Sequence, residues 1–106
     1  MDKLEQHGVK VAHHFSEGVY AKETFIPAGV TLHQHIHPYT HMSVLAQGKV
    51  RVTKGEVTFV TQAPDCLEIA AGVSHKVEAI TPAVWYCIHA TEETDAEKID
   101  TVLLND

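Results

Sequence analysis

The sequence is poor in cysteine and in basic side chains, and it has no long apolar run. Its two cysteines, Cys66 and Cys87, stand apart with no C-x-x-C pair, which excludes a zinc ribbon or a disulfide framework and fits reduced thiols in a reducing compartment. Eight Lys and Arg against fourteen Asp and Glu give a formal net charge of -6, so a surface for the phosphate backbone has no basis and no nucleic acid partner is expected. No apolar stretch approaches the roughly 18 to 20 residues of a membrane span, and the opening residues carry no apolar segment followed by a cleavage site. The expectation is a cytoplasmic protein with no membrane partner.

What is present points to one folded unit. At 106 residues the chain is too short for two cores, and 44% apolar with 21% charged residues is the balance of a globular domain, so residues 1–106 read as a single domain. Period-2 alternation of Val, Ile, Thr, Tyr and Phe marks strands over 19–25, 30–37, 42–47, 49–53, 57–61, 75–80 and 84–89. Turn residues around Pro27, Pro38, Gly48, Gly55, Pro64, Gly72 and Pro82 punctuate these runs, and the resulting spacing is that of an all-β sandwich or barrel. Helical periodicity is confined to residues 96–104, where Ile99, Val102 and Leu103 offer one face of a short C-terminal helix or else part of an extended tail.

Histidine is the one abundant functional side chain, with nine copies against eight Lys and Arg. Within a strand alternate side chains share a face, so His33, His35 and His37 are expected to project together while Leu32, Gln34 and Ile36 point the other way. Pro38 interrupts that strand, which lets His41 open the next, antiparallel one and return to the same pocket. Gly72 supplies a tight turn, after which His75 begins a strand at the position equivalent to His41.

These two segments resemble the two motifs of the cupin superfamily. Gly29, His35, His37, the position of His41, and Gly48 match the first motif at every spacing, and Gly72 with His75 match the second. The resemblance covers about residues 20–89 and implies a double-stranded β-helix, the RmlC-like jelly-roll barrel, with a metal inside. It departs from the usual pattern at His41, where most cupins carry glutamate, at Ala70, where the turn proline is usual, and at Ala79, in place of a common asparagine.

The resemblance implies one divalent transition metal held by His35, His37, His41 and His75. Four neutral imidazoles leave the site with the full dipositive charge and without a ligand carboxylate to serve as a base. Imidazole suits Fe, Mn, Ni, Cu and Zn alike, so the donor set does not name the ion. His33, Trp85, Cys87 and His89 are candidate pocket residues; on the last strand the alternative inward face is Val84, Tyr86 and Ile88. Tyr20, Glu23, Tyr39 and Glu68 are candidates for proton transfer, Cys66 reads as a small buried hydrophobe, and His7, His13 and His14 read as exposed. No catalytic residue is singled out.

The function implied is a small-molecule metalloenzyme of oxygenase type. A non-catalytic module that binds a metal or small ligand, a metal-assisted lyase or isomerase, and a metal-free isomerase resembling those of sugar nucleotides are the alternatives. The exposed sheet edges of small cupins imply a homodimer, with the N-terminal segment as a candidate exchanged strand.

Overall fold

Runs in which β-branched and aromatic residues alternate with polar ones become strands, because a pleated strand buries every second side chain. The computed structural model describes residues 8–34, 36–91 and 95. Their strands are β1 (Lys10–Ser16), β2 (Val19–Ile26), β3 (Thr31–Gln34), β4 (His41–Gln47), β5 (Lys49–Lys54), β6 (Val57–Gln62), β7 (Asp65–Ile69), β8 (His75–Ala79) and β9 (Ala83–Ala90). They form a five-stranded sheet, β1-β2-β9-β4-β7, and a four-stranded sheet, β3-β8-β5-β6. Every pairing is antiparallel. The expected all-β class and double-stranded β-helix are therefore observed, and among the described residues no helix is long and apolar enough to cross a membrane.

The core lies between the sheets. Ile26, Leu45, Ala83, Trp85 and Cys87 of the larger sheet pack with Leu32, Val50, Val52, Val77 and Ala79 of the smaller one. Burial of Ala83, Trp85, Cys87 and His89 settles which face of β9 turns inward. Gly48 joins β4 to β5 with φ of +93°, and a Cβ there would overlap the Pro82 carbonyl oxygen, so the turn requires glycine.

Several expectations are corrected. The strands β1 and β7 lie outside the stretches that period-2 alternation marks. Both lie at sheet edges, where the apolar period is weak: β1 alternates half-buried with exposed positions, and β7 does so up to the buried Ile69. The strand expected over 30–37 ends at Gln34. His41 opens β4 in the opposite sheet rather than a strand antiparallel to β3. His33 is exposed and pairs in register with Lys76 while Leu32 pairs with Val77 in the core, so alternation from His33 does not extend to His37. The tail expectation over 96–104 lies outside the described residues, as does His35.

Candidate metal centre

One glycine-containing turn brings the histidine segments together. Gly72 adopts φ of +74° and its N–H donates to the His37 carbonyl at 2.9 Å, while the Ala71 N–H donates to the Thr40 hydroxyl at 3.1 Å. These bonds clamp the 37–41 segment onto the turn that precedes β8. His41 is the first residue of β4 and His75 the first of β8, and both are buried.

A further imidazole arrives from β9. Tyr20 of β2 is the register partner of His89, and Met42 of β4 is the partner of Ile88, which places His89 next to His41 on the inward face. Ring centroids are separated by 4.6 Å for His41 and His89, 5.0 Å for His37 and His89, 5.1 Å for His37 and His41, and 6.1 Å for His41 and His75. Each of His37, His41 and His89 offers one ring nitrogen such that the three nitrogens lie within 4.8 Å of one another.

The residues fit a metal ion. With a metal–nitrogen bond of about 2.1 Å, a ligating ring centroid sits roughly 3.2 Å from the ion, so two such centroids lie at most ~6.4 Å apart. The three separations among His37, His41 and His89 fall well below that limit; His75, at 6.1 Å from His41, lies close to it and outside the group of three whose nitrogens converge. Both ring nitrogens of His41 and both of His75 are buried without a hydrogen-bond partner, an arrangement that costs free energy unless something accepts the lone pairs. Burial, then the charge of His37, lowers His41 to a pKa of about 4. Burial, then His41, His37 and Lys54, lowers His75 to about 4. His89 falls to about 3 through burial, then His41, His37 and Lys22. Neutral imidazoles with available lone pairs are what a transition metal requires.

Tyr39 and His89 share a hydrogen bond of 2.9 Å between Oη and Nδ1. Tyr20 is fully buried beside the same ring, at a centroid separation of 6.0 Å, and its hydroxyl contacts Nδ1 of His13. That contact leaves His13 half-buried, a correction to its expected exposure, whereas His14 is exposed and bonds Glu23 at 2.8 Å. The hydrogen bond from His14, followed by that from Tyr86, lowers the Glu23 carboxyl below its ordinary range. Glu68 is exposed. Neither carboxylate belongs to the histidine cluster.

The other candidates separate by environment. His33 is exposed and lines a cavity of about 360 Å³ with Thr53, Gly55, Ser74, His75 and Lys76. Trp85 is wholly buried core. Cys87 is buried against Ser43, whose hydroxyl approaches its sulfur at 3.6 Å, and burial pushes its thiol pKa up. Cys66 is exposed, which corrects its expected burial: β7 is an edge strand, and this position faces away from Leu67 and Ile69. The mixed Trp85, Cys87, His89 face marks His89 as a pocket wall in the sequence, and register shows which imidazoles it meets.

The chain resembles known cupins in sequence and shape. The family model of the cupin domain matches residues 21–89. No curated protein sequence matches the chain at significant similarity. An RmlC-like cupin from Shewanella frigidimarina superposes with a TM-score of 0.69 at 20% identity, over 79% of this chain and 77% of that one. The Cnp3 cupin domain of Schizosaccharomyces pombe gives 0.69 at 22%, over 90% and 72%. An acetylacetone dioxygenase from Acinetobacter johnsonii gives 0.66 at 22%, over 78% of this chain and 60% of that one. With the family model covering most of the β-structure, and with a jelly roll of two antiparallel sheets observed, the chain belongs to the cupin superfamily.

Proposed function

We propose that this cupin binds one divalent transition metal (Fe, Mn, Ni, Cu or Zn) through histidines and acts as a small-molecule oxygenase. The observation that carries the metal is the pair His41 and His75, whose four ring nitrogens are buried and unpartnered beside His37 and His89. His35, from the sequence motif, completes the set that the family resemblance implies. Such an ion supplies Lewis-acid polarisation of an oxygen-bearing substrate and, where redox-active, electron transfer to dioxygen. The chain's own part is to hold neutral imidazoles in place and to exclude water with Tyr20, packed on His89, and Ile69, the register partner of His41. Similarity in fold to an acetylacetone dioxygenase supports trying β-diketones first.

The test is elemental analysis of untagged protein after exchange against a mild chelator, beside His41→Ala, followed by oxygen uptake with Fe(II) and candidate diketones or catechols. About one ion per chain, lost in the variant, supports the metal centre. Oxygen uptake dependent on substrate supports the oxygenase. A tightly held ion inert to every substrate moves the reading to a non-catalytic metal-binding module, which the purely imidazole cluster favours over a lyase or isomerase that needs a carboxylate base. A homodimer pairing sheet edges is part of the proposal, and a strict monomer by light scattering removes it.

A further inference from the structure

We infer that His89 is itself a ligand of this ion, with Tyr39 as the positioning residue that fixes its tautomer. This rests on the metal-binding reading above and extends it to a strand that lies outside both sequence motifs. His89 stands 4.6 Å from His41 and 5.0 Å from His37 between ring centroids, as close as those two stand to each other at 5.1 Å. One ring nitrogen of each falls within 4.8 Å of the others. His89 is buried and lies on the inward face of β9, in register with Tyr20 of β2 and one residue beyond the Met42–Ile88 pair that joins β9 to β4. A ring on a central strand is fixed by backbone pairing, which is a firmer support than a loop.

The hydrogen bond to Tyr39 decides which nitrogen faces the ion. When Nδ1–H of His89 donates to Tyr39 Oη, the imidazole is locked with its lone pair on Nε2. Metal-ligating histidines ordinarily donate their second N–H to such a partner, and that bond also raises ligand basicity. The opposite polarity, with Tyr39 donating to Nδ1, would leave a proton on Nε2 and no lone pair for an ion. Tyr39 also lies 5.5 Å from His37 between rings, so one aromatic side chain sets the packing of two imidazoles. His37, His41 and His89 then supply three convergent imidazoles from two strands and one loop, with His75 beside His41.

The experiment uses full-length untagged protein, Cu(II) as the probe, affinity by competition with a chromophoric chelator, and the Cu(II) electron paramagnetic resonance spectrum. His89→Gln is expected to weaken binding more than tenfold and to change the spectrum. Tyr39→Phe is expected to weaken binding by about tenfold with one ion per chain retained, the usual effect of removing a partner that orients a ligand. His89→Ala guards against misfolding: added imidazole should restore the wild-type spectrum, which a damaged fold would not allow. Wild-type affinity and spectrum in both His89 variants overturn the ligand assignment while leaving the metal centre intact. Wild-type affinity in Tyr39→Phe overturns the positioning role. Failure of the wild-type protein to bind Cu(II) overturns this inference together with the metal-binding reading.

Discussion

His41 and His75 open strands in opposite sheets, yet their ring centroids lie 6.1 Å apart across the barrel, with all four ring nitrogens buried and unpartnered. Such a pair is a liability for folding and an asset for binding. Each imidazole has been taken out of water, and its donors and acceptors find no replacement within the chain. The nearby charges and the burial both favour the neutral form, so the same arrangement that costs stability keeps two lone pairs ready.

From that relationship follows an opposed effect of one substitution. His75→Leu, similar in volume and apolar, should stabilise the chelated protein by about 1–3 kcal/mol, the cost of leaving a buried polar group unsatisfied. The same change should lower metal affinity at least tenfold. Urea unfolding with and without chelator measures both; a variant less stable than wild type in chelator would contradict the unpartnered state of His75.

The motifs were legible because glycine fixes backbone at known distances from the histidines. Gly72 bonds the His37 carbonyl, and the positions of His41 and His75 at strand starts follow from the turn chemistry alone. His89 was harder to place, since its neighbours come from residues some fifty and seventy positions away through strand register. Alternation groups His33 with His37 only along an unbroken strand, and β3 stops at Gln34, which leaves His33 exposed at a cavity shared with His75. Edge strands β1 and β7 escaped notice because an edge strand needs little apolar patterning to pair. In each case the missing term was tertiary pairing rather than residue type.

Gly48→Ala should destabilise the protein by at least about 2 kcal/mol, because an L-residue is strained at positive φ and its Cβ would meet backbone at Pro82 and Ala83. Gly29→Ala places its Cβ in open space, so it carries only the positive-φ strain. A larger loss of thermal stability for Gly29→Ala than for Gly48→Ala would refute the close-approach explanation.

The two thiols should react at very different rates. Cys66 is exposed, whereas Cys87 is buried with its thiol pKa raised, first by burial and against a smaller opposing effect of Ser43. A thiol reagent at neutral pH is expected to modify one sulfhydryl promptly and the second only on unfolding. Prompt modification of both would show that the core around Trp85 and Cys87 opens readily.

Acidification should separate the apo and metal-loaded proteins. In the unfolded chain the imidazoles protonate near 6.5, while in the folded chain His41 and His75 resist until about 4 and His89 until about 3. Between those values the unfolded state binds more protons, so stability rises with pH and is lost as pH falls from about 6.5 towards 4 and 3. Above 6.5 these groups contribute no slope. Urea midpoints of chelated protein at several pH values should therefore fall through this window, and the His41→Leu, His75→Leu double variant should flatten the decline. Because His41, His75 and His89 are already neutral at pH 7, these three should release almost no protons on binding there, which calorimetry in buffers of differing ionisation enthalpy can count. Release of about three protons per ion at pH 7 would mean that His41, His75 and His89 are charged before the metal arrives, and the burial argument would fail with it.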